Sequence, residues 1–315
     1  MRSTSLDFNR PASISARRQR FDAYPGTLQK IPTLLGLALV GLLLLFLHNA
    51  PRPQAAPPAI KLLRYSFTLH NPSNTPISEA GIRLFAPVAV NATQTCRRIT
   101  VYQPHEILPD AAGNRVIHLP VKTLAPFGSR VVNVEAEIAL YAAPRRVRLP
   151  DRDPWLKPAR FIESDHPELR QLAAGLRGRG TLQTAERIFS WVSSNLRSSG
   201  VSAKDRGALH AFKTRAGDCT EFAGLFAALC RAAGIPARVV GGFVLRESGI
   251  VSFHDYHNWA EFHHDGTWHL ADPQRGVFRG GTGDYVAMQI NAEDGSLPAG
   301  ERFKVLGTGL RVRMN

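Results

Sequence analysis

The feature that most restricts this chain is an uncharged run from Ile31 to Ala50, whose middle reads LLGLALVGLLLLFL. About twenty residues at a helical rise of about 1.5 Å span a hydrocarbon core of roughly 30 Å. Pro32 falls in the first turn, where a missing N–H is tolerated. A water-facing helix would need a polar stripe, and this segment has none. Ahead of it, Arg2, Arg10, Arg17, Arg18, Arg20 and Lys30 outnumber Asp7 and Asp22. The expectation is a basic cytoplasmic tail (residues 1–30) and a transmembrane helix (31–50), with the rest of the chain outside the cytoplasm, periplasmic if the source is bacterial. Ala50, Ala55 and Ala56 offer small residues to a signal peptidase, but the length of the apolar run favours an uncleaved anchor in the lipid bilayer.

Beyond the anchor, residues 51–60 are a Pro-rich linker. Residues 61–143 break into short alternating runs, Arg64 to Leu69, Ile82 to Phe85, Arg98 to Tyr102, Val116 to Leu119 and Val131 to Val134, with Pro, Gly and Asn between them. That spacing predicts an all-β, sandwich-like domain. Asn91-Ala92-Thr93 matches a glycosylation acceptor. After a linker rich in Pro, Arg and Asp, a mixed domain is expected over 155–290, with helices from His166 to Leu176 and Thr181 to Leu196. Residues 291–315 read as a C-terminal strand or tail.

The formal charge is +14. The basic residues are scattered, and no basic run is interleaved with aromatics, which argues against nucleic acid. A tail beside a membrane and a surface facing an anionic envelope polymer account for the balance at least as well. Three cysteines, Cys96, Cys219 and Cys230, without a CxxC pair exclude a disulfide scaffold and a zinc ribbon.

Gly217-Asp218-Cys219-Thr220-Glu221-Phe222 opens a helix. Asp218 is a good N-cap, and Glu221 stands in the position of a capping box. Phe222, Leu225, Phe226, Leu229 and Ala233 mark its apolar face, and Gly234 with Ile235-Pro236 ends it. Cys219 is therefore the first helical residue. Unpaired N–H groups and the positive end of the dipole favour a thiolate there, and its own amide is placed to donate to an oxyanion. Cys230, three turns on, reads as packing.

Residues 257–274 read HNWAEFHHDGTWHLADPQ. The Asp265-Gly266 turn predicts a hairpin pairing His264 with Thr267 and, counting back, Trp259 with Asp272. His257 and Asp272 are then diagonal neighbours on one face, so the carboxylate can hold one imidazole nitrogen and leave the other for a thiolate. His254, His263, His264 and His269 lack the spacing of a metal motif and divide between the two faces of the hairpin. Neither a metal nor a cofactor is expected.

The run GDCTEFAGLFAALCRAAGIPARVVGGFV, then HNWAEF and WHLADP, resembles the core of transglutaminase-like proteins, which share a papain-like fold with cysteine proteases and peptide N-glycanases. The resemblance is specific over about 207–275. It implies an α+β fold in which the helix bearing Cys219 packs on an antiparallel sheet. It also implies a nucleophile at Cys219, a base at His257 and a third member at Asp272. Members of the family cross-link glutamine to amines, cleave peptides, remove glycans or have lost activity. The expected function is a thiol protease or amidase acting on a protein or peptide through an acyl-enzyme. The alternatives are a protein-glutamine acyltransferase, or a non-catalytic envelope assembly or binding protein.

Overall fold

The computed structural model describes residues 56–109, 113–202, 205–291 and 302–315. The Ile31–Ala50 run lies outside them; among the described residues no helix is long and apolar enough to cross a membrane. The first half of the described chain is β-rich. Strands β1 (Ala59–His70), β2 (Ala80–Ala86), β3 (Gln94–Val101), β4 (Glu106–Pro109), β5 (Arg115–Val121) and β6 (Ser129–Leu140) divide between two sheets. In β1, alternate residues Leu63, Tyr65, Phe67 and Leu69 are buried, and Val132, Val134, Ala136 and Ile138 do the same in β6. They meet Ile82, Leu84, Ile117 and Leu119 of the second sheet in one apolar core. This is the period-2 pattern of strands with one face covered.

The strand or tail expected over 291–315 contributes two strands to these sheets. Strand β15 (Phe303–Leu306) pairs antiparallel with β2, and β16 (Arg311–Met314) with β1. Asn91 of the Asn-Ala-Thr triplet is buried, and its side-chain oxygen accepts from Thr93 N at 2.8 Å. The triplet is thus a structural turn with no exposed acceptor.

Four helices follow: α1 (Pro167–Gly175), α2 (Thr181–Asn195), α3 (Ala208–Thr214) and α4 (Cys219–Ala232). The short strands β7 (Arg197–Ser198) and β8 (Ala216–Gly217) pair parallel between them. A second antiparallel sheet system runs in the order β13-β12-β11-β9-β14, from β9 (Ala237–Val244), β11 (Tyr256–His264), β12 (Thr267–Asp272), β13 (Val277–Phe278) and β14 (Tyr285–Ile290).

One face of this sheet, through Val239, Ala260, Phe262 and Ala271, packs under the helices. Leu225, Phe226 and Leu229 of α4 are fully buried against it, each contributing about 1.5–3 kcal/mol. The other face gathers Val240, Trp259, Leu270, Tyr285 and Ala287. The two halves of the described chain interlock. Phe243, Tyr256, Val286 and Met288 join the core of the first sheets, and β10 (Gly249–Ile250) adds in parallel to β1. The ammonium of Lys61 on β1 donates to Leu245 O, Gly283 O and Asp284 Oδ1 at 2.6, 2.8 and 2.8 Å.

Candidate active site

The N-terminus of α4 is built by its cap. Asp218 has extended backbone and accepts from Thr220 N at 2.9 Å, while Glu221 Oε2 accepts from Asp218 N at 2.9 Å. The reciprocal pair satisfies donors that a helix start leaves unpartnered. Glu221 is also fixed from outside: its side chain is fully buried and receives Arg206 Nη2 at 2.9 Å. Gly217 makes room for it, since a Cβ there would overlap that of Glu221. Cys219 follows as the first helical residue, half-buried and with a free thiol. Cys230 lies in the same helix but is wholly buried, and burial pushes its thiol far up.

The hairpin has the register expected from its turn. His264 pairs with Thr267 and Ala260 with Ala271, so Trp259 stands opposite Asp272. Asp265 and Gly266 both adopt positive φ, 49° and 75°, as a two-residue hairpin turn of this hand demands. His257 Nε2 lies 2.7 Å from Asp272 Oδ2, and both residues are buried. The Cys219 thiol lies near enough to the imidazole to help raise its affinity for a proton. With Nε2 on the carboxylate, Nδ1 is the nitrogen left for sulfur. The structure thus brings together the three residues singled out in the sequence.

Burial alone drives the His257 imidazole down. The bonds and charges of Asp272 and Cys219 outweigh it, and together they push the ring up to about 9. Near neutral pH the ring is therefore held as imidazolium between a carboxylate and a sulfur.

Two further residues complete the site. Tyr285 on β14 donates its hydroxyl to Asp272 Oδ2 at 2.8 Å, and Arg275 N donates to Asp272 Oδ1 at 3.1 Å. Burial and the neighbouring carboxylate hold the Tyr285 phenol protonated. Asn258 brings its Nδ2 to 3.8 Å from Cys219 Sγ and 2.9 Å from Thr220 Oγ1. Tyr285 left no signal in the sequence, because β14 joins the sheet beside β9 rather than beside the hairpin. Asn258 stands between the His and Trp of HNW, where its identity could have drawn notice.

The remaining histidines do other work. His269 Nε2 pairs with His264 O at 3.2 Å, and burial pushes its ring down to about 4. His263 meets Trp268 edge-on. Among the described residues no group of three His, Cys, Asp or Glu side chains could hold a metal.

Residues 170–273 match the family model of the transglutaminase-like superfamily. That segment is a transglutaminase-like domain. The chain also aligns with the crystal structure of a candidate cysteine protease from Cytophaga hutchinsonii, at 20% identity and a TM-score of 0.59. The alignment covers 83% of this chain and 91% of that one. The periplasmic domain of TgpA from Pseudomonas aeruginosa aligns over 72% of this chain and 95% of its own, at 18% identity and a TM-score of 0.38. No curated protein matches at a significant level. The Cytophaga alignment extends the shared fold past the transglutaminase-like domain into the β-rich half.

Proposed function

We propose that the transglutaminase-like domain is a cysteine protease or amidase working through Cys219, His257 and Asp272. The observation that carries this is the His257–Asp272 bond of 2.7 Å, made by an imidazole whose proton affinity is raised by the thiol at a capped helix start. In the first step the Cys219 thiolate attacks the substrate carbonyl carbon and a C–S bond forms. Developing negative charge on oxygen meets the Cys219 backbone N–H, which a first helical residue leaves without an intrahelical partner. As the C–N bond breaks, the His257 imidazolium gives its proton to the departing amine. The neutral imidazole then takes a proton from water, the hydroxide adds to the thioester, and acid and thiolate are released. Asp272 holds the ring through Nε2 during both transfers.

The proposal includes location. The apolar Ile31–Ala50 run anchors the protein in a bilayer, with the transglutaminase-like domain outside the cytoplasm; a reporter fused after Asn315 that works only inside would refute that orientation.

The chemistry is tested by iodoacetamide labelling and by a peptide-library assay with and without an added primary amine. Cys219 should alkylate at least tenfold faster than the half-buried Cys96, and peptide cleavage by water should vanish in Cys219→Ala. Equal labelling of the two thiols would sink the nucleophile assignment. Turnover only with the amine present would replace hydrolysis by acyl transfer.

A further inference from the structure

Asn258 is 2% exposed and lies on the face of β11 that points toward α4. Its neighbours on that face, Ala260 and Phe262, are fully buried and apolar. An amide in such a place is unfavourable unless its polar atoms find partners. Its nitrogen has two, one N–H going to Thr220 Oγ1 at 2.9 Å and the other facing Cys219 Sγ at 3.8 Å, while its buried oxygen has no hydrogen-bond partner among the described residues. The Thr220 bond fixes the amide plane, and the pairing of Asn258 with Gly241 on β9 fixes its backbone. The reverse orientation would set a carbonyl oxygen against the sulfur, which a thiolate would repel.

Building on the proposed function, we infer that the Asn258 amide is a catalytic residue, a hydrogen-bond donor that holds the Cys219 sulfur as an aimed thiolate. An N–H directed at an anion in a site screened from water is stronger than one between neutral groups. It supports the sulfur from the side of the sheet, while the helix start supports it from the other end. Among the described residues, His257, Tyr256 and Arg302 also act on this sulfur. His257 donates but must surrender its proton in the reaction. The buried Tyr256 phenol stays neutral, and Arg302 stacks over Phe253 and Tyr256 at 3.8 and 4.6 Å. Asn258 is the donor whose bond to sulfur does not depend on a proton moving.

The test is the pH profile of Cys219 alkylation by iodoacetamide in the full-length protein, which reads the thiolate without any acyl chemistry. In Asn258→Leu the rate at pH 6 should fall about tenfold with the alkaline plateau unchanged, a displacement of the acid limb by about one pH unit. Thr220→Val, which unlocks the amide, should move the limb the same way by less, and Thr220→Ser should restore it. A peptide-cleavage loss with no displacement of the alkylation profile would overturn the inference and leave a structural role. Should Asn258→Leu not fold, the Thr220 pair decides: identical profiles in Thr220→Val and wild type overturn it. A slow wild-type Cys219 would instead sink the proposed function itself, so the two failures are separable.

Discussion

His257 and Asp272 share a 2.7 Å bond, Nε2 to Oδ2, in which neither side chain is more than a few per cent exposed. That bond fixes which ring nitrogen faces the sulfur. In Asp272→Asn the amide can donate to Nε2, which then becomes the acceptor, and the ring proton moves to Nδ1. A base with a proton already facing the thiol cannot accept another. Peptide cleavage should fall on the order of a hundred- to ten-thousand-fold, measured as kcat/KM with unchanged circular dichroism.

The same bond sets a pH dependence. In the folded state His257 titrates near 9, above its ordinary 6.5. The raised value means that its contribution to stability is complete below about pH 6.5 and drains away as pH climbs through 9. The thiolate–imidazolium form disappears over the same alkaline range, so activity should fall there too. Asp272→Asn removes the hydrogen bond and charge that hold the ring up, and the alkaline limb of peptide cleavage should move to lower pH. An unmoved limb would separate His257 from Asp272.

Tyr285→Phe removes a buried donor from Asp272 Oδ2. His257 and Arg275 remain on the carboxylate, so its charge stays partnered and its orientation loosens. The expected loss is about 1–2 kcal/mol of stability by urea denaturation, with kcat/KM reduced less than tenfold. A loss as large as that of Asp272→Asn would make Tyr285 an equal member of the catalytic set.

What the sequence made legible was local. The Asp218–Glu221 capping box, the α4 stop at Gly234 and the Asp265-Gly266 turn each depend on residues within a few positions, and each is found as read. The diagonal between His257 and Asp272 followed from the turn by counting. What escaped depends on distant pairing. Tyr285 reaches Asp272 only because β14 lies on the far side of β9. Strands β15 and β16 find partners more than two hundred residues earlier, in β2 and β1, where no local rule applies. Strand β4, Glu106–Pro109, is exposed along its length and therefore lacks the apolar alternation that marked its neighbours. Lys61, which ties β1 to loops of the second sheet system, looked like any basic strand residue.

Arg238 and Glu261, paired across β9 and β11, form a buried ion pair in which Nε and Nη2 both donate to Glu261 Oε2, at 2.8 and 2.6 Å, with the guanidinium over Trp268 at 4.1 Å. Glu261→Ala strands a buried cation and should cost about 3–5 kcal/mol. The double replacement Arg238→Met with Glu261→Leu should recover most of that loss in urea denaturation. Equal destabilisation in single and double variants would show that the ion pair itself is needed.

Gly241 and Gly242 sit where β9 passes under the site, and each is small for a different reason. A Cβ on Gly241 would overlap the Tyr256 hydroxyl and press on Asn258 Oδ1, both side-chain atoms. On Gly242 it would overlap the Val286 carbonyl, which belongs to the paired strand. Backbone in a central ladder cannot yield without opening the sheet, whereas side chains can swing aside. Gly242→Ala should therefore be the more destabilising, by about 3 kcal/mol against about 1 kcal/mol for Gly241→Ala. Gly241→Ala should carry its penalty into the chemistry instead, because the atoms it displaces belong to Asn258 and its neighbour beside the sulfur. Gly249→Ala, whose Cβ would meet its nearest neighbour at 4.0 Å, is the control and should leave the melting temperature within about 2 °C. Thermal melts and Cys219 alkylation on the three variants check this together. If Gly241→Ala lowers stability as much as Gly242→Ala while alkylation stays at the wild-type rate, the site-facing role of Gly241 is wrong.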